Sequence, residues 1–189
     1  MAAVNLAFSG GDALKERLSK MARDLEKSKA VSVGFLENAT YPPGDGGARL
    51  ADAAKRAEKA GESGWAHLLS AWSKWQATHQ QTLHVAQVAY WLEFGTTRMK
   101  PRPFFRQMIT KNSGDWGEVL GRFIKASGYD AGKALALLGT KISEELLDSI
   151  ESWPADDAPL TAFVKGFNKG LDDRGVMKDS IDFEVSDGR

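Results

Sequence analysis

Two prolines around one arginine, Pro101-Arg102-Pro103, restrict the backbone more than any other stretch of this chain. Each proline fixes φ, and Pro101 drives Lys100 toward extended backbone. Pro103 suits the first turn of a following helix, where its missing N–H costs nothing. Upstream, Val85, Val88, Ala89 and Leu92 fall on one helical face. Gly95 can take the left-handed backbone that ends a helix. Residues 85–108 therefore predict a short apolar helix, a tight polar loop, and a second helix opening with Phe104 and Phe105. No catalytic group is needed to account for the pattern. It holds a shape and presents a surface.

Local patterns extend this outward. Val4, Leu6 and Phe8 alternate, as do Val31, Val33 and Phe35, and Ile181, Phe183 and Val185; each set predicts a strand. Asp12 can cap a helix carrying Leu14, Leu18, Met21 and Leu25. Residues 41–47 read as a turn, and the Gly10-Gly11 and Gly46-Gly47 pairs as ordinary turns without phosphate-loop context. Residues 48–59 are Ala-rich and charged, and Trp65, Leu68, Leu69, Trp72 and Trp75 form a stripe, so two antiparallel helices joined at Gly61 and Gly64 are expected. Thr82 is a candidate cap for the helix ending at Phe94. Asn112-Ser113-Gly114 is expected to kink or break the helix after Phe105, and its successor to end near Gly128. Asp130 can cap a helix bearing Leu135, Leu138, Ile142, Leu146 and Ile150, which Trp153-Pro154 ends. Residues 155–170 read as loop, and 174–180 fit no single element. The order of elements is that of an α+β fold: a small mixed or antiparallel sheet, helices on one face, and a helical hairpin.

Composition excludes several chemistries. The 189 residues suit a single domain, 1–189, and 42% of them are apolar, enough for a core. Lys+Arg and Asp+Glu both number 25, which argues against gripping phosphates as the main task. There is no Cys, so disulfides and thiolate metal sites are ruled out. No signal peptide or membrane-length apolar run is visible, and a cytosolic origin is the default. His67, His79 and His84 have no helical ligand spacing, so no metal site is expected. No nucleophile–base set is found, and no cofactor is expected. Asp172, Asp173, Asp179, Asp182 and Glu184 cluster near the C-terminus. They fit a turn and a solvent-facing strand, or a small metal-dependent nuclease or hydrolase; the first is favoured. Arg98, Lys100, Arg102 and Arg106 fit contact with passing DNA, salt bridges to a neighbouring subunit, or a solvated loop, with the subunit contact favoured.

Glu93-Phe94-Gly95-Thr96 and Pro101-Arg102-Pro103-Phe104-Phe105-Arg106 resemble the hallmark of a phage family. This is the neck or tail-completion (head–tail joining) family of long-tailed bacteriophages, related to the minor tail protein Z type of lambda-like phages. Val31-Ser32-Val33-Gly34-Phe35 with Tyr41-Pro42-Pro43-Gly44, then Lys165-Gly166-Phe167, then residues 171–181 resemble further blocks in the same order. Arg174 stands where the family usually has Thr, and residues 45–81 look like an insertion.

The resemblance implies a virion structural protein of the neck or tail, without enzymatic activity, assembled in the host cytoplasm. It implies a homo-oligomeric ring that meets head-completion or connector proteins and tail-terminator or tail-tube proteins. Genome DNA would pass through the ring without sequence-specific binding, and no membrane is involved. It marks Glu93, Phe94, Gly95, Arg102, Phe104 and Phe105 as shape-determining or contact residues, with Glu93 pairing to an arginine. Trp65, Trp72 and Trp75 either pack on their own domain or meet another subunit; the latter is favoured because exposed aromatic patches tend to be interfaces. A generic α+β binding module is the remaining reading.

Overall fold

A computed structural model describes residues 11–26, 29–35, 38–41, 46–79, 82–172 and 174–187. The fold is α+β: mostly helical, with one small two-stranded antiparallel sheet. The elements run α1 (Gly11–Glu26), β1 (Lys29–Phe35), α2 (Gly46–Lys59), α3 (Ser63–Thr78), α4 (Val85–Phe94), α5 (Phe104–Ala126), α6 (Ala131–Glu151), α7 (Pro159–Lys165), α8 (Val176–Asp179) and β2 (Ile181–Asp187). The expected strand at Val4, Leu6 and Phe8 lies outside the described residues. Among the described residues no helix is long and apolar enough to cross a membrane.

The chain divides into two compact units. Among the described residues, one comprises those of 11–33, 113–142 and 183–187; the other comprises those of 34–112 and 143–182. In the first, Val119, Ala134, Leu138 and Ile142 are buried. β1 and β2 pair there, and the aromatic ring of Phe183 and the methyl of Val31 lie against Gly139 of α6. In the second, Phe104, Leu146, Ile150 and Val85 are the largest side chains fully withdrawn from solvent. Phe35 meets the Phe104 ring edge-on at 6.3 Å.

The helical hairpin at residues 46–78 is α2 and α3. Leu50, Ala53, Ala54 and Ala57 of α2 are buried with Leu69 of α3, and Ala66 and Val164 pack against them. Glycine makes this close approach possible. A Cβ on Gly47 would stand 3.0 Å from the Ser73 carbonyl oxygen. Gly46 and Gly47 thus open α2 rather than forming the expected turn, and the Ala-rich helix buries an alanine face against α3. Both ends of the hairpin close at one place. Tyr41 N–H donates to Leu83 C=O and Val85 N–H to Ala39 C=O, each at 2.9 Å, around an antiparallel Thr40–His84 bridge.

Other expectations need correction. That bridge keeps residue 84 extended, so α4 begins at Val85 with His84, not Thr82, at its N-cap. Asn112-Ser113-Gly114 does not break α5, which runs 23 residues. The helix-propensity cost of these residues, at most about 1 kcal/mol each, is smaller than the burial of Phe104, Met108 and Val119 around them. The division between the compact units nevertheless falls between Asn112 and Ser113. The stretch 155–170 holds a helix, α7, because Pro159 occupies its first turn and starts it rather than stopping it. The ambiguous stretch before β2 contains the single turn α8. Asp130 caps α6 as expected, accepting the Lys133 N–H at 3.0 Å.

Gly139 gives a test of the helix–sheet contact. A Cβ there would fall 2.5 Å from a Phe183 ring carbon and 3.0 Å from a Val31 methyl. Gly139→Ala is expected to destabilise the protein by about 1–3 kcal/mol, the usual cost of overpacking, despite the better helix propensity of alanine. Urea denaturation monitored by circular dichroism checks this. An unchanged or higher midpoint would show that α6 and the strands do not meet at this spacing.

Candidate functional site

Six of the marked residues, Glu93, Phe94, Gly95, Arg102, Phe104 and Phe105, lie at the junction of α4 and α5. The α4 helix ends at Gly95, whose backbone lies at φ 76° and ψ 178°. That region is essentially closed to side-chain-bearing residues. There is no room for a side chain either: a Cβ would lie 2.8 Å from Met99 O and 2.9 Å from Pro101 N. Beyond Gly95 the chain makes a tight turn, with Thr96 and Met99 exchanging backbone hydrogen bonds at 2.9 and 3.3 Å. The Thr96 hydroxyl oxygen accepts the N–H groups of Arg98 and Met99. Arg102 N–H then returns to Leu92 C=O of α4 at 2.7 Å.

The first turn of a helix leaves its N–H groups without helical partners. In α5 every one is accounted for. Phe104 N–H donates to Arg102 C=O at 2.8 Å, and Gln107 N–H to Pro103 C=O at 2.9 Å. Phe105 N–H donates to Glu93 Oε2 at 3.0 Å and Arg106 N–H to Glu93 Oε1 at 3.2 Å. Glu93 is thus a capping carboxylate supplied by the preceding helix, and it is buried. Its charge faces the positive end of the α5 dipole. Arg106 completes the pairing, with Nε 2.7 Å from Glu93 Oε1 and Nη2 donating to Glu93 C=O at 3.1 Å. The Arg106 guanidinium also lies 4.8 Å from the Phe94 ring centre.

Arg102 points into a second network. Its Nε donates to both carboxylate oxygens of Asp156, at 2.9 and 2.8 Å, and Nη2 donates to the Asp156 carbonyl at 3.1 Å. Asp157 stands 3.5 Å from Arg102 Nη2 and 2.6 Å from Lys165 Nζ. The side chains of Arg102, Asp157 and Lys165 are only 11, 4 and 10% exposed, so this is an interior charge network. Burial pushes the Asp156 carboxyl up, but hydrogen bonds from Arg102 and the Trp153 indole, with the Arg102 charge, outweigh it and hold the group below the usual aspartate range.

Phe104 is core, 1% exposed, with its carbonyl accepting the Ser149 hydroxyl at 2.8 Å. Phe105 is half-buried. Phe94 and Tyr90 are exposed and in contact, ring centres 4.7 Å apart. Trp65, Trp72 and Trp75 do not join this group; they stand exposed on α3. Of the basic run, Arg102 and Arg106 are committed within the chain, while Arg98 and Lys100 are exposed. A shallow depression of about 410 Å³ runs beside Arg106, lined also by Pro103, Gln107, Thr110 and Lys111.

In the acidic stretch, burial pushes Asp172 up, but the Lys178 ammonium 3.0 Å away and the Gly175 N–H hold its carboxyl low. Asp173 lies outside the described residues. Among the described residues no group of three or more His, Asp or Glu could hold a metal ion. Asp156 and Asp157 were not singled out from the sequence, and Lys165 was marked only within the Lys165-Gly166-Phe167 block, with no partner assigned. Their signal was an acidic pair after Trp153-Pro154, in a stretch without periodicity.

Comparisons with protein-family models, curated proteins and solved structures found no match. The functional reading therefore rests on the residues themselves.

Two outcomes test this geometry. Gly95→Val is expected to lower stability by about 1–3 kcal/mol through backbone strain alone, and by more through its clash with Met99 and Pro101. A thermal melt within a degree or so of wild type would contradict the assigned backbone. The second concerns pH. A carboxyl whose folded pKa is depressed stabilises fully above its unfolded value, about 3.9, and loses that contribution as pH falls through the folded value. Wild type should therefore weaken below about pH 4. Asp156→Asn should be less stable than wild type at neutral pH, and the gap should close as acid protonates the wild-type carboxyl. Urea midpoints measured from pH 7 downward check it; a gap independent of pH would show that the Arg102–Asp156 pair does not act.

Proposed function

We propose that this protein is a virion structural component at the head–tail junction of a long-tailed bacteriophage, a neck or tail-completion protein that forms a homo-oligomeric ring. The observation that carries the reading is the buried Glu93 carboxylate on the first turn of α5. It makes one mechanical unit of the two hallmark blocks, 93–96 and 101–106, among those on which the family resemblance rests. Glu93 caps, Gly95 turns, Pro101 and Pro103 stiffen, Phe104 anchors, and Arg102 and Arg106 lock the result from two sides. Nothing in that unit is arranged around a reacting atom. Its product is a fixed surface carrying Tyr90 and Phe94.

A ring needs two different faces of one subunit to meet. On α4 the exposed aromatics Tyr90 and Phe94 support subunit contact as the use of that surface. Arg98 and Lys100 remain exposed for a neighbouring subunit or for the backbone of passing DNA. The partners in this reading are a head-completion or connector protein on one side and a tail-terminator or tail-tube protein on the other.

A stop codon placed early in the gene, in the phage that encodes it, tests the proposal. Lysates should contain DNA-filled heads and separate tails by electron microscopy, and added purified protein should restore joined, infective particles. Joined particles made without the protein would overturn it.

A further inference from the structure

The α3 helix has two apolar faces, and only one is used within the described chain. Leu69 and Ser73 are buried toward α2, with Ala66 beside them. Trp65, Leu68, Trp72 and Trp75 are 53, 61, 45 and 54% exposed. Their spacing of three, four and three residues is that of a and d positions in a helix-pairing seam. His79 continues the line, stacked on Trp75 with ring centres 4.7 Å apart.

We propose that this ridge is the contact surface for the same ridge of a second copy of the chain, the two α3 helices running antiparallel. Three observations select that occupant. The spacing calls for a partner helix with its own a and d knobs. The ridge carries no formal charge, and neither do its neighbours Gly64, Ala71 and Gln76. Lys74, the one lysine of α3, lies about half a turn round from Trp65 by helical geometry, so like can face like without repulsion. The pattern is also symmetric about its centre. An antiparallel pairing sets Trp65 against the second copy's Trp75, and Leu68 against its Trp72, and repeats both contacts by symmetry.

Area points the same way. An aromatic side chain presents roughly 150–250 Å², so half-exposed tryptophans and Leu68 leave on the order of 400 Å² bare per ridge. Two ridges together remove about 800 Å², and their flanks bring this near the roughly 1,000 Å² that a specific interface needs. Other exposed aromatics of the chain suit this role less well. Phe163 and Phe167 of the α7 region are each covered by a cation, Arg56 at 5.0 Å and Lys165 at 4.8 Å. The inference stands apart from the head–tail reading. A two-fold contact pairs subunits and does not by itself close a ring.

Sedimentation of the full chain and cross-linking test it. Wild type should sediment as a dimer, or a multiple of one, at micromolar concentration. Leu68→Glu and Trp72→Glu should each weaken that association by roughly thirtyfold or more, with unchanged circular dichroism. Lys74→Glu, on the far side, should leave it intact. The chain has no cysteine, so single cysteines report without background. Ala71 flanks the centre of the ridge, and an antiparallel pair brings it near its own copy. Ala71→Cys should therefore be captured as a dimer by a short bismaleimide, and Lys74→Cys on the far side should not. A monomeric wild type would overturn the proposal. So would an oligomer that resists both ridge charges, or one that Ala71→Cys does not cross-link.

Discussion

A single carboxylate in the wrong helix organises this protein. Helix α5 begins immediately after Pro103, which offers no side-chain oxygen to its first amides. The acceptor comes instead from Glu93, the penultimate residue of α4. A buried carboxylate is costly unless each oxygen is matched by donors. Here two backbone N–H groups and a guanidinium supply them. The direction of α5 relative to α4 follows, because the carboxylate must reach amides that point along the α5 axis. Gly95 is the consequence on the other side: only a glycine can let the chain reverse tightly enough to bring those amides back.

The neighbouring network repeats the strategy with opposite sign. Arg102 leaves the same turn and is taken up by Asp156, while Asp157 is shared between Arg102 and Lys165. Together these pairs tie the α4–α5 turn to the start and end of α7. They leave Tyr90 and Phe94 on a support whose geometry is set by charge-assisted hydrogen bonds rather than by packing alone.

What was legible in the sequence divides along physical lines. Periodicity marked α6, whose Leu138, Ile142, Leu146 and Ile150 are buried, and β2, whose Ile181, Phe183 and Val185 are the half-buried set. Steric rules marked Gly95, since few other residues could follow an apolar helix and precede Pro101 so closely. Three features were not legible. Alanine carries little hydrophobic signal, so the buried face of α2 depends on Gly47 meeting the Ser73 carbonyl, which no local pattern reveals. A proline reads equally as the end of one helix and the start of another, which hid α7. The partner of Arg102 lies far along the chain, in a stretch with no period at all.

Both α5 and α6 pass from one compact unit to the other, and β1 pairs with β2 at the far end of the described chain. This has a consequence for synthesis. The β1–β2 pair cannot form until residues 181–187 have left the ribosome, long after β1 has emerged. Pairings between such distant segments form slowly, because loop closure must precede the contacts that reward it. The unit holding the Glu93 clamp draws on shorter loops around α4 and α5. It should therefore become protected from hydrogen exchange or protease before the β1–β2 pair does.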